Sequence, residues 1–170
     1  SYLAETNELN EEAEAQYQNS NKNLCLIIRK NDWRELKRRR PEFVLEDYYD
    51  VCIEQLKVNL ERMHAPAPDS ISLNGLSTFK GSLSGSFKGD RIQFDICTIA
   101  GKRYLYQLLI WCMLEERDQY QEDIEKIIYS FEEIAAPIQN EEIQSDLPSQ
   151  PLLPDSIQTQ SQPQNMPSNQ

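Results

Sequence analysis

The chain has 170 residues, a formal net charge of −11, one histidine and four cysteines. That length suits one domain with a real core, so folding needs neither a metal nor disulfides. The acidic balance repels phosphate backbones and anionic lipid, which excludes general nucleic-acid binding, and no run approaches the roughly 18 apolar residues of a membrane span.

The first 23 residues are polar and acidic, with a modest alternation at Ala13, Ala15 and Tyr17 that predicts an edge strand. Leu24 to Ile28 is a continuous apolar run, too short for a helix and rich in β formers, so it predicts a central strand covered on both faces. A charged connection follows. Beyond it Leu45, Tyr48, Tyr49, Cys52, Leu56, Leu60 and Met63 recur at steps of three and four, which predicts a helix that Pro66 and Pro68 stop.

From Ile71 the period becomes two. Phe79, Leu83 and Phe87 share one face with Gly81 and Gly85, while Lys80, Ser82, Ser84, Ser86 and Lys88 take the other. Lys88-Gly89 predicts a tight hairpin turn, because glycine supplies the positive φ such turns require. The chain returns over Arg91 to Ile99 and turns at Ala100-Gly101-Lys102. It then runs through Tyr104 to Leu114, a strand with no polar face that must be sandwiched. A last helix opens near Asp118, an expected N-cap with Gln121 three residues on, and carries Tyr120, Ile124, Ile127, Ile128, Phe131 and Ile134 on one stripe. Residues 136–170 are rich in Pro, Gln and Ser with no aromatic and no basic side chain, so a disordered tail is expected after a domain over residues 1–135.

Two amphipathic helices and strands apolar on both sides predict an α+β fold, an antiparallel β-sheet with helices on both faces. The succession Leu9-Asn10-Glu11-Glu12-Ala13, Leu24 to Ile28, Leu45-Glu46-Asp47-Tyr48 and Leu73-Asn74-Gly75-Leu76 resembles the PsbP/DcrB-like domain. So do the strand from Tyr104 to Trp111 and the helix ending Ile127-Ile128-Tyr129-Ser130-Phe131. The likeness runs from about residue 2 to 134 and is strongest to stand-alone cyanobacterial members. It implies an α/β/α sandwich. The family includes a lumenal photosystem subunit, an envelope lipoprotein and a nuclear import factor, none an enzyme by virtue of this fold. The matching motifs are scaffold residues, so the resemblance carries no site over.

The sharpest local anomaly is the basic segment 29–40, where Arg29, Lys30, Arg34, Lys37, Arg38, Arg39 and Arg40 meet only Asp32 and Glu35. One reading is a docking patch for an acidic protein or phosphorylated ligand, with Trp33 as aromatic anchor beside Arg34, Lys37, Arg38, Arg39 and Arg40. A second is a solvated loop balancing the acidic first 23 residues, and a third, the least favoured, is a local nucleic-acid contact resting on Lys37 to Arg40 with Trp33. His64 reads as a cap or loop residue, Glu115-Glu116 and Glu132-Glu133 as solvation of helix ends, and Gly81, Gly85, Gly89 and Gly101 as strand and turn glycines. Tyr104, Tyr106, Trp111 and Tyr120 read as core, with a ligand cavity as the alternative.

Cys25, Cys52, Cys97 and Cys112 lie in apolar runs with no CxxC or Cys/His spacing, so they read as reduced core thiols. Such thiols suit a reducing compartment, and a cytoplasmic location is expected, with a targeting segment upstream of Ser1 left open. The expected function is a non-catalytic protein-interaction or assembly domain with no catalytic, cofactor or metal residues. Its expected partner is a protein, not a nucleic acid, without direct membrane insertion. A photosystem-associated accessory protein and an enzyme with an unrecognised carboxylate site are the alternatives.

Overall fold

A computed structural model describes residues 3–134; the tail expected over 136–170 lies outside the described residues. Eight antiparallel strands form one sheet in the order β1-β2-β3-β8-β7-β6-β4, with β5 pairing on β6. In chain order the strands are β1 (Ala4–Glu5), β2 (Ala15–Asn19), β3 (Leu24–Asp32), β4 (Glu61–His64), β5 (Asp69–Leu73), β6 (Leu76–Phe87), β7 (Asp90–Ala100) and β8 (Tyr104–Met113). The helices are α1 (Trp33–Arg39), α2 (Leu45–Lys57) and α3 (Arg117–Tyr129), the last preceded by a 3-10 turn at Leu114–Glu116.

The apolar run expected at the middle of the molecule is β8, paired to β3 on one side and β7 on the other. Side chains alternate across a strand, so each β8 residue faces one helix layer or the other. Leu108, Ile110 and Cys112 join Leu24, Leu26, Cys97 and Ile99 beneath Ile124 and Ile128 of α3. Leu109 faces the opposite way, with Ile27, Leu83 and Ile96 under Tyr49 and Ile53 of α2. The sheet therefore carries one helix on each face, as the pattern of strands without a polar side requires.

The glycines of β6 lie where the period of two puts them, on the α2 face. A Cβ at Gly81 would run into the Tyr49 hydroxyl, and one at Gly85 would sit 3.2 Å from the Leu60 Cβ. Lys88 (φ 51°) and Gly89 (φ 96°) make the expected β6–β7 hairpin, and Asn74 (φ 49°) with Gly75 (φ 84°) makes the β5–β6 one.

Five expectations change. The strand expected at the sheet edge is β2, and β1 covers it, so it lies one in from the edge. The first long helix stops at Lys57, not near Met63: β-branched Val58 and then Asn59 are weak helix formers, and Glu61–His64 pairs with β6 as an edge strand instead. Leu60 lies beyond the helix and is buried against Gly85. The basic segment is not a loop. Its first residues extend β3, and the rest is α1, capped by Asp32 accepting from the Arg34 N–H at 2.8 Å, with Lys37, Arg38 and Arg39 in the last turn where the helix dipole favours cations. The last helix begins at Arg117, so Asp118 sits inside its first turn, and Phe131 and Ile134 fall beyond its end. Phe87 is exposed at the hairpin end of β6.

Candidate functional site

Trp33 is half-buried, its ring edge-on to Phe43 at 6.3 Å with Leu36 beside it, over the floor made by Leu105. That packing fixes α1 against the end of the sheet and holds Arg34, Lys37, Arg38 and Arg39 on its exposed side. The Lys37 ammonium lies 4.9 Å from the centre of the Trp33 ring, a cation–π contact. Arg40 turns away, 3.7 Å from Glu42 and 3.8 Å from Asp47 with its guanidinium against Phe43. Lys30 is also neutralised, by Glu14.

The β7–β8 turn comes back to the same place. Lys102 and Arg103 line a shallow depression of about 250 Å³ with Trp33, Arg34 and Lys37. Arg103 pairs with Asp32 at 3.2 Å, and the Arg34 backbone N–H followed by Arg103 holds the Asp32 carboxyl below its usual range against the opposing effect of desolvation. Among the described residues Arg34, Arg38, Arg39 and Lys102 make no ion pair. The turn is held by Glu133, whose carboxylate accepts from the Lys102 N–H at 3.0 Å and the Tyr106 hydroxyl at 3.2 Å. Glu133 therefore does more than solvate a helix end. Burial and this carboxylate push the Tyr106 phenol up to about 12.

A second feature lies on the α2 face. Between α2, the sheet and the loop at Leu9-Asn10 is a cleft of about 350 Å³ with Phe94, Leu109 and Trp111 on its floor and Arg29, Gln55 and Gln107 at one end. Phe94 and Trp111 lie 6.2 Å apart and tilted. Buried Gln16 builds the loop wall: its carbonyl oxygen accepts from the Leu9 and Asn10 N–H groups at 2.8 Å each, and its amide donates to the Asn10 carbonyl at 2.6 Å. Trp111 is thus part core and part cleft.

His64 is an exposed edge-strand residue paired opposite Ser84. Cys25, Cys52, Cys97 and Cys112 are free thiols, and burial pushes Cys52 and Cys97 up to about 12. No described helix is long and apolar enough to cross a membrane. The depression was missed because Lys102 and Arg103 are far from α1 in sequence; the signal for α1 itself was present, an Asp N-cap with Glu35 three residues on.

No protein-family profile matches the chain, and no curated protein matches it. Solved structures do. Cyanobacterial PsbP from Synechocystis sp. PCC 6803 superposes with a TM-score of 0.55 at 6% identity, over 78% of this chain and 81% of the other. PA94 of Pseudomonas aeruginosa, of unknown function, gives 0.55 at 7% identity over 79% and 83%. LpqN of Mycobacterium tuberculosis, involved in cell envelope biogenesis, gives 0.53 at 15% identity over 77% of each chain. The chain has the PsbP-like fold, an antiparallel sheet between helices. Identities this low establish the fold alone.

Proposed function

We propose that this PsbP-like domain is a non-catalytic interaction module that docks an acidic protein segment on the basic cap formed by α1 and the β7–β8 turn. The observation that carries this reading is the convergence of sequence-distant cations, Arg34 and Lys37 with Lys102 and Arg103, around one depression in a chain of net charge −11. Arg34, Arg38 and Arg39 present planar forks to carboxylates, and Trp33 gives the depression an apolar floor. Because these cations are exposed, they steer association and set register more than they add buried affinity. Free thiols whose ionisation burial opposes fit a reducing compartment, and the proposal extends to a cytoplasmic setting.

The test is titration with a fluorescent Glu/Asp-rich peptide across a range of salt. Replacing Arg34, Lys37, Arg38, Arg39 and Lys102 together by alanine lowers affinity by about tenfold or more and leaves Tm unchanged. Replacing Arg62, Lys88 and Arg91 at the opposite end of the sheet leaves affinity unchanged. Equal losses in the two variants would reduce the cap to one patch of diffuse charge among others.

A further inference from the structure

The cleft under α2 has a chemistry of its own. Arg29 is the single charged side chain among its lining residues, and it is a cation in an acidic protein. The Arg29 Nε is buried with no hydrogen-bond partner, and one terminal nitrogen reaches Gln55 Oε1 only at 3.5 Å. Leaving the buried Nε unmet costs free energy that a suitable acceptor recovers. Across the strand pair, Arg29 stands opposite Gln107, whose buried side chain lines the same end of the cleft. The remaining lining is largely apolar, with Ile27, Leu56, Leu109 and the tilted Phe94–Trp111 pair.

We propose that this cleft binds a small amphipathic carboxylic acid, with the carboxylate on Arg29 and an aromatic or branched apolar body against Phe94, Leu109 and Trp111. A carboxylate supplies two oxygens that match the planar fork, and desolvating it is offset only where such a fork waits. A volume of about 350 Å³ lies within the range of small-molecule pockets. A phosphomonoester would leave its second charge without a counter-cation, and an amine would meet Arg29 head on. A neighbouring cavity of about 500 Å³ also reaches Arg29, Cys52, Gln55 and Gln107 and has Leu36, Phe43 and Val51 in its lining, but there Glu12 stands to repel a carboxylate. The first cleft is therefore the one matched to an acid with an apolar body. The inference is independent of the basic cap.

The experiment compares phenylbutyrate with phenylbutanol, which share an apolar body and differ in the head group. Binding is read by calorimetry and by the indole N–H resonance of Trp111. The wild-type protein binds phenylbutyrate saturably with a shift at Trp111, and binds the alcohol about tenfold or more weakly. Arg29→Met keeps the apolar stem, binds the two compounds alike, and nearly retains its Tm, since Arg29 Nε has no partner to lose and the bond to Gln55 is long. Arg29→Lys keeps a preference for the acid, and the alanine variant of the cap binds it as the wild type does. Equal binding of acid and alcohol by the wild-type protein overturns the proposal by itself, whether or not Arg29→Met folds. So does a preference that survives Arg29→Met, an acid site that vanishes with the cap, or the lack of any saturable shift at Trp111.

Discussion

The two faces of the sheet differ in what lines their openings: ion-paired side chains beside α3, and a largely apolar lining with an unpartnered guanidinium nitrogen beside α2. Under α3, Leu24, Leu26, Ile99, Leu108 and Ile110 meet Ile124 and Ile128, and Asp95 takes Arg117 in a two-pronged ion pair at 2.7 and 2.8 Å while Lys80 takes Glu125 at 2.6 Å. Under α2 the same strands hold Ile27, Leu83, Ile96 and Leu109 against Tyr49 and Ile53, but the layer is left open beside the helix. There Arg29 Nε, the Tyr49 hydroxyl and the Thr98 hydroxyl are buried without partners, against Glu116 Oε2 at the start of α3. Buried polar groups are normally satisfied, so the contrast separates a face whose charges pair with one another from one that keeps donors to offer.

The largest test of that contrast is Asp95→Ala. Asp95 is buried and its side chain is 6% exposed, so its loss strands Arg117 in a place 18% exposed and costs about 3–5 kcal/mol in urea unfolding. A cost near zero would mean that the α3 face does not rely on this pair. Gly81→Ala on the α2 face comes next. The added methyl meets the Tyr49 hydroxyl and ring, within 3.2 Å of Pro68, and lifts α2 at a cost of roughly 1–3 kcal/mol. If Gly81→Ala were neutral, α2 would be free to slide and the cleft would have no fixed shape.

Alkaline pH acts on both faces together and more gently. Burial raises the thiols of Cys52 on α2 and Cys97 under α3 from 9.0 to about 12. The folded state thus holds these protons more tightly than the unfolded chain, so their contribution is full below about pH 9 and is lost as pH rises through about 12. Tm should decline over that window, and a flat Tm from about pH 9 to 11 would show that the thiols ionise freely in the native state.

Much of the architecture was readable from periodicity. The alternation in β6, the unbroken apolar run of β8 and the stripe on α3 each report burial directly, because side-chain direction is set by the period of the element. Two features escaped for physical reasons. Leu60 and Met63 continued the α2 period by coincidence, while the edge pairing that claims Glu61–His64 depends on β6, a partner distant in sequence. The basic residues could be counted, but a count does not separate a loop from a helix. Asp32 and Glu35 could have done so.

The cap and the cleft were less legible than the fold. Trp33 and the cations of α1 were singled out, yet Lys102 and Arg103 join them only because β3 and β8 pair from Cys25↔Trp111 to Asp32↔Tyr104 and bring the turn beside α1. Arg29 looked like one more member of the basic run. Strand alternation sends it inward beneath α2, opposite Gln107, while Lys30 next to it is exposed. Adjacent residues of the same charge end on opposite faces because they belong to a strand and not to a loop.

Amide chemical-shift mapping during titration with the acidic peptide tests the central claim most directly. The account predicts perturbations gathered at residues 33–40 and 101–103, fading with salt and lost in the variant without the five cap cations. Shifts centred instead on residues 88–91 or along α3, or shifts that persist in that variant, would contradict it.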